Sequence, residues 1–115
     1  MTSPHVVAVC GSLRDESYTR PALMYALDGA EAVGATTELL DLAEFDLPLY
    51  DPDLESPGDS AEVTRIVREA DALILGSPVY HNSYSAAFRN FHDYCSFDEF
   101  EDTAVGLLCV AGGGS

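Results

Sequence analysis

The sequence predicts a parallel α/β fold, with one doubly wound sheet and helices on both of its faces. Apolar, β-branched runs alternate with segments of helical periodicity, in the order β-α-β-α-β-α-β. The strand-like runs are apolar throughout, which is typical of strands buried on both faces of a parallel sheet. At 115 residues and 47% hydrophobic, the chain has enough apolar surface for one core. We therefore expect residues 1–115 to form a single domain.

The first two strands enclose an amphipathic helix. The run H-V-V-A-V-C at 5–10 predicts the first strand, and T-T-E-L-L-D-L at 36–42 predicts the second. Between them the spacing of Leu23, Leu27 and Ala30 predicts a helix over 18–33. Pro21 suits its first turn, and Gly34 is a suitable residue to end it.

The second half repeats the pattern after a segment rich in Pro and Asp at 45–60, which we interpret as a surface loop. Asp59 or Ser60 is expected to cap the next helix, with Glu62 completing a capping box with Asp59. Apolar residues at i, i+3, i+4 and i+7 predict one buried stripe on that helix: Val63, Ile66, Val67 and Ala70. Strands are predicted at 72–76 and 103–110.

The third helix is predicted to start near Ser85. Four residues are expected to share one face of it: Phe88, Phe91, His92 and Cys95.

The chain is strongly acidic. It has 20 Asp and Glu residues against five Arg and no Lys, a net charge of -15. Such a charge makes nucleic acids and anionic membranes poor partners. Because molar salt screens self-repulsion, the composition also favours a salt-loving source, with an ordinary acidic protein as the alternative.

The N-terminus lacks the pattern of a signal peptide, and no apolar run could span a membrane. We therefore expect a soluble cytoplasmic protein. The cysteines, Cys10, Cys95 and Cys109, have no metal-binding or disulfide spacing, so each is interpreted as small core filler.

Three loops with distinctive chemistry follow the first, third and fourth strands. The first carries hydroxyls and Arg14 before a helix start, which suits a phosphate group. The second, from Ser77 to Ser85, places aromatic residues and His81 beside Pro78, and the third is the run Gly112–Gly114. In a doubly wound sheet of order 2-1-3-4-5 these strands are neighbours, so the loops converge on one edge.

Each loop also has an ordinary structural interpretation. The hydroxyls of the first loop could cap the helix, and Arg14 could be a solvated charge. His81 could be a surface histidine, since no acidic or Cys partner has metal-ligand spacing to it. The glycines could form a flexible tail. The loop after the second strand shows no distinctive chemistry.

These motifs resemble the NAD(P)H-dependent FMN reductase family of flavodoxin-like proteins. The segment G-S-L-R-D-E-S-Y-T at 11–19 is similar to the family's phosphate loop. The segment from Ser77 to Asp93 resembles its isoalloxazine loop and following helix. The resemblance implies a flavodoxin-like sheet of order 2-1-3-4, with the family's expected fifth strand missing from this chain. The domain would then be C-terminally incomplete.

The resemblance also implies site residues. Five would hold the FMN phosphate and ribityl region: Ser12, Arg14, Ser17, Tyr18 and Thr19. Five would contact the flavin ring: Pro78, Val79, Tyr80, His81 and Ser83. The glycines Gly112, Gly113 and Gly114 would approach the other edge of the ring. No side chain is expected to act as a catalytic acid or base, and no metal is expected.

The implied reaction passes hydride from NAD(P)H to FMN and on to a quinone, a free flavin, an azo compound or a metal oxyanion. Family members are usually dimers or tetramers. The chain departs from many members at Val79 and His81, and Val79 resembles the branch that supplies reduced flavin to monooxygenases. The family also commonly has Asn at the position of Thr19 and Lys at that of Arg89.

Three other functions were weighed. A non-enzymatic FMN-binding electron carrier is disfavoured because the phosphate loop of such carriers is shorter and rich in Thr and Gly. A low-molecular-weight phosphatase or arsenate reductase needs C-x5-R, whereas Cys10 and Arg14 form C-x3-R. The third is an inert fragment that cannot fold alone.

Overall fold

The computed structural model describes residues 3–11, 18–55, 57–79, 86–95 and 103–111. The strands are β1 (His5–Cys10), β2 (Thr36–Asp41), β3 (Ala72–Val79) and β4 (Ala104–Ala111). The helices are α1 (Thr19–Ala32), α2 (Ser60–Arg68) and α3 (Ala86–Tyr94), and a single 3-10 turn spans Leu42–Glu44. All pairs of neighbouring strands are parallel, in the order β2-β1-β3-β4. This confirms the predicted fold class and strand order.

Alternate residues of β1 face two separate cores. Ala8 and Cys10 pack with Leu23 and Leu27 of α1 on one side of the sheet. On the other side, the core includes residues of β1, β2, β3, α2 and α3: Val7, Val9, Leu40, Val63, Ile66, Val67, Leu73, Leu75 and Phe91. The predicted doubly wound arrangement, with both faces of β1 buried, is therefore confirmed.

The end of α1 is as predicted from the sequence, whereas the start of α2 is not. Gly34 follows α1 with φ +100°, a conformation that favours glycine, as the predicted helix end requires. The predicted capping box at α2 is wrong. Asp59 is the N-cap residue but makes no side-chain cap, because its carboxylate accepts the Asp46 N–H at 2.7 Å. Glu62 instead pairs with Arg65.

The predicted stripe of α2 is confirmed at Val63, Ile66 and Val67, which are all buried, whereas Ala70 is buried but lies beyond the end of the helix at Arg68. The predicted face of α3 is only partly correct. Phe91 is fully buried and Cys95 packs against the same core, but His92 is exposed. The side chains of Phe88 and Cys109 lie outside the described residues. Cys10 is buried and Cys95 partly buried, and neither forms a disulfide.

Candidate functional site

The carboxyl ends of β1 and β3 form a step in the sheet. The last residue of β1, Cys10, pairs with Gly76, and the Gly11 N–H donates to the Gly76 carbonyl at 2.8 Å. Beyond this point β3 continues to Val79, and among the described strands only β4 pairs with this extension. The step lies where the strand order reverses, because β1 leads outward to β2 while β3 leads to β4. Ligands of doubly wound sheets bind at such a point.

The length of β3 corrects the sequence analysis, which ended the strand at Gly76 and placed Ser77 and Pro78 in the loop. Pro78 pairs with Val110 instead, and Val79 pairs with Ala111. Backbone groups of alternate strand residues point to the same side. Pro78 therefore turns its nitrogen, like that of Gly76, toward the side where β1 has already ended. A strand tolerates proline where no neighbour needs its N–H.

The close approach of α1 to β3 depends on Gly76. A Cβ on Gly76 would stand 2.7 Å from Leu23 Cδ1 and 2.9 Å from Leu23 Cγ. Leu23 is fully buried against Ala8 and Cys10, so it has little room to move aside. Glycine at this position therefore lets α1 pack closely against the sheet beside the step. The start of α1 is thereby held at the carboxyl edge.

The first turn of α1 is electrostatically suited to an anion. The N-cap residue Tyr18 makes no side-chain cap, and the first turn contains no acidic residue. It carries Arg20, whose guanidinium is paired with Asp41, so the helix N-terminus itself supplies the attraction for an anion. Helix N-termini attract phosphate through their N–H groups and dipole. The residues present therefore fit the phosphate end of a nucleotide or flavin.

Arg20 and Asp41 form an ion pair that the sequence analysis missed. Arg20 Nε donates to Asp41 Oδ2 at 2.5 Å and Arg20 Nη2 donates to Oδ1 at 3.1 Å, a bidentate arrangement. The side chain of Asp41 is 8% exposed and that of Arg20 is 24% exposed. Asp41 also accepts the Ala43 N–H at 3.1 Å. The end of β2 therefore contributes a buried carboxylate to this edge of the sheet.

This pair joins two elements at the edge of the sheet. Asp41 is the last residue of β2 and pairs in register with Cys10, the last residue of β1. Arg20 is the second residue of α1. The contact therefore fixes the start of α1 relative to the ends of both strands. The sequence offers one signal for this ion pair, namely a basic residue early in a helix followed by an acidic residue at the end of the next strand.

The segment after β2 crosses to α3 and is held there by side chains. Asn90 accepts the Tyr50 N–H at 2.8 Å and donates to the carbonyls of Leu47 and Pro48. Tyr94 donates to the Pro48 carbonyl at 2.6 Å. The described part of this segment has no regular secondary structure after Glu44, as predicted for a surface loop.

Four of the thirteen sequence-predicted site residues fall among those described. Tyr18 is 77% exposed and Thr19 is fully buried, both at the start of α1. Pro78 and Val79 form the end of β3, the strand next to β1 in the sheet. The rest lie outside the described residues: Ser12, Arg14, Ser17, Tyr80, His81, Ser83, Gly112, Gly113 and Gly114.

The topology nevertheless places the roots of the three predicted loops together. They leave from Gly11, Val79 and Ala111, on the adjacent strands β1, β3 and β4, at the same edge. Among the residues that the structure describes, no three His, Cys, Asp or Glu side chains are grouped as metal ligands. None of the described helices is long and apolar enough to cross a membrane.

Comparison with known proteins identifies several relatives. An NADPH azoreductase from Bacillus sp. strain OY1-2 is 40% identical over 112 residues, which cover 95% of this chain and 60% of the relative. An FMN-dependent NADPH-azoreductase from Staphylococcus saprophyticus is 32% identical, over 91% of this chain and 59% of that protein. This chain thus spans about 60% of the length of these relatives.

Solved structures agree. The apo form of an NADH:FMN oxidoreductase superposes with a TM-score of 0.84 and 26% identity, over 96% of this chain and 60% of that one. An NAD(P)H:quinone oxidoreductase from Methanothermobacter marburgensis shares the fold, with a TM-score of 0.75 at 21% identity, over 99% of this chain and 68% of that one. The sequence model of the family described as NADPH-dependent FMN reductase matches residues 4–115. On this evidence the chain belongs to the NADPH-dependent FMN reductase family.

Proposed function

We propose that the protein is an FMN-dependent NAD(P)H oxidoreductase that binds FMN at the step between β1 and β3. The observation that carries this proposal is the combination of a strand-order reversal with an acid-free helix start at the same edge. Bound FMN would accept a hydride from NAD(P)H and deliver the electrons to a second substrate.

The phosphate end of the site is assigned to the loop after β1 and the start of α1. There, Ser12, Arg14, Ser17, Tyr18 and Thr19 would bind the phosphate and ribityl groups. The described part supports this assignment, because α1 presents its N-terminal dipole and a first turn without acids. The ion pair between Arg20 and Asp41 would hold that first turn at a fixed distance from the end of β1.

The ring end of the site is assigned to the carboxyl ends of β3 and β4. There, Pro78, Val79, Tyr80, His81 and Ser83 would contact the ring from β3, and Gly112, Gly113 and Gly114 would approach its other edge. The extension of β3 past β1 supports this assignment, since it leaves the β1 side of Pro78 without a neighbouring strand among the described residues. Main-chain N–H groups near the ring would stabilise negative charge on it, so no side chain need transfer a proton.

The electron acceptor is proposed to be a small molecule, either an azo compound, a quinone or a free flavin. Azo compounds come first because two relatives are named azoreductases. Steady-state oxidation of NADPH and NADH, with FMN and each acceptor class in turn, tests the proposal. Binding of FMN without turnover of any acceptor would instead indicate an electron carrier.

Three further proposals concern salt adaptation, self-association and location. The net charge of -15 supports a protein adapted to high salt. Self-association into a dimer or tetramer is proposed from the family resemblance, since family members are usually dimers or tetramers. The reduced thiols of Cys10 and Cys95 are compatible with a cytoplasmic location. Sedimentation of the purified protein at low and molar salt measures the first two together.

A further inference from the structure

A second concave site lies between the segment after β2 and the helices α2 and α3, and none of its lining residues belongs to β1 or β3. It is a cavity of about 240 Å³. Tyr50 and Tyr94 line it together with apolar residues, among them Leu54 and Ala61. The two rings meet edge to face, with centroids 5.2 Å apart and planes at 82°. This geometry leaves ring faces available to a ligand.

The walls of the cavity are held in place without a ligand. Asn90 fixes the main chain of Tyr50, and Tyr94 is fixed through its hydroxyl to the Pro48 carbonyl. One main-chain hydrogen bond, from the Leu54 N–H to the Asp51 carbonyl at 3.1 Å, closes a turn that brings both residues to the cavity. The site is therefore preorganised, which lowers the entropy lost on binding.

The polar groups of the cavity favour a cation. The Thr64 hydroxyl already donates to main-chain carbonyls of α2, and the Tyr94 hydroxyl donates to Pro48. Asp51 also lines the cavity. One of its carboxylate oxygens accepts the Asp53 N–H at 2.9 Å, and its second oxygen makes no hydrogen bond within the described residues. What remains is aromatic surface, the hydroxyls of Tyr50 and Ser60, and a carboxylate, and only the carboxylate is charged.

The local charge is negative as well. Burial, followed by the charges of Asp46, Tyr50 and Asp51, raises the pKa of Tyr94 above its ordinary value. The sequence has no Lys or Arg between Arg20 and Arg65. Arg65 is itself paired with Glu62 and Glu69. An anionic ligand would therefore meet repulsion at this cavity, and a cation would meet attraction.

We propose that this cavity binds a small organic cation of the alkylated ammonium class, with its apolar groups against Tyr50, Tyr94 and Leu54 and its charge beside Asp51. Aromatic faces attract such cations by their quadrupole, and quaternary ammonium groups are recognised by aromatic cages in this way. The cavity shares no lining residue with the proposed flavin site, and the proposal does not depend on the proposed function.

The test uses three probes of nearly the same shape: choline, its neutral isostere 3,3-dimethylbutan-1-ol, and the anion 3,3-dimethylbutanoate. Binding is followed by NMR of ring-labelled tyrosines, at the lowest salt that keeps the protein folded and again in 2 M KCl. Choline should bind about tenfold more tightly than the alcohol at the lower salt, because only the cation is attracted by the carboxylate and the two aromatic rings. It should shift the signals of Tyr50 and Tyr94 but not that of Tyr25, which is 82% exposed on α1. Equal binding of the alcohol, or unmoved Tyr50 and Tyr94 signals, would overturn the proposal.

Two variants locate the charge and the ring contact. Asp51→Asn should reduce choline affinity about threefold to fivefold, the scale of a solvent-exposed charge interaction, and leave the alcohol unchanged. Asp28→Asn removes the same charge from the exposed surface of α1 and should change neither affinity. Tyr50→Leu, at a side chain 42% exposed, should weaken choline more than the alcohol while the melting temperature stays near that of the parent. Equal effects of the two Asp substitutions would overturn the placement of the charge.

Discussion

Replacing Arg20 with Met should destabilise the protein far more than replacing any exposed Arg. The substitution leaves the carboxylate of Asp41, 8% exposed, with the Ala43 N–H as its remaining hydrogen bond of those described above. Removing one partner of a fully buried pair costs about 3 to 5 kcal/mol. Since Arg20 is 24% exposed, water can partly replace it. We therefore expect a loss of about 2 to 3 kcal/mol, a fall in melting temperature of roughly 8 to 12 °C for a domain of this size.

The assay is urea unfolding of four proteins: the parent, Arg20→Met, Asp41→Asn and the double variant. If the two groups interact as described, the losses should not add, and the coupling should be about 1 to 2 kcal/mol. Arg65→Met is the matched control. Arg65 is 49% exposed, and its pairs with Glu62 and Glu69 are surface pairs, so about 1 kcal/mol or less is expected.

Molar salt sharpens the comparison, because it screens the pairs of Arg65 more than the buried pair. FMN affinity should also fall more in Arg20→Met than in Arg65→Met, since only the first loosens the start of α1. Equal losses of stability in the two single Arg variants, or strict additivity between Arg20→Met and Asp41→Asn, would refute the reasoning.

Three further predictions follow from the packing and the charges. Gly76→Ala should lower the free energy of unfolding by about 1 to 3 kcal/mol, because its Cβ would press on the buried side chain of Leu23. Gly29→Ala, whose Cβ would have no atom within 4 Å, should be neutral or stabilising. Equal melting temperatures of the two variants would contradict this. Tyr94 has a raised pKa in the folded state, so its unfolded form ionises first and stability should fall as pH rises above about 10; Tyr94→Phe should flatten that slope and Tyr25→Phe should not. The melting temperature should rise from low to molar salt, given the net charge of -15, and no rise would remove the case for salt adaptation.

Much of the fold was predictable because its signals are local. The β-branched run at 5–10 matches β1 residue for residue, since strands buried on both faces admit only apolar side chains. The helical stripe at Val63, Ile66 and Val67 and the stop at Gly34 are also decided within a few residues. The strand order was predictable from the resemblance to flavodoxin-like proteins, because alternation of elements alone is compatible with more than one doubly wound order.

The errors arise where a distant partner decides. Pro78 continues β3 because β1 has already ended beside it, which no window around Pro78 reveals. The Asp59 side chain does not cap α2, because its carboxylate accepts the N–H of Asp46, which lies on the preceding segment. Among the described side chains of α3, Phe91 is buried in the core and His92 is exposed, so the two neighbours lie on different faces of the helix.

The candidate site shows the same division. Its loops could be located from strand ends and turn chemistry, so the expectation that they leave one edge is confirmed by the topology. The pair of Arg20 with Asp41 could not be predicted from the sequence. The two residues are 21 positions apart and meet only when α1 crosses from β1 to β2. Buried ion pairs of this kind depend on tertiary geometry rather than on local propensity.

The most direct test of the central claim is the visible spectrum of the purified protein titrated with FMN and then mixed anaerobically with NADPH. We expect saturable binding with one FMN per chain, a shifted flavin band, and bleaching of that band on addition of NADPH or NADH. Arg20→Met should weaken the binding, and Arg65→Met should leave it unchanged. A spectrum identical to that of free FMN at all protein concentrations would contradict the account.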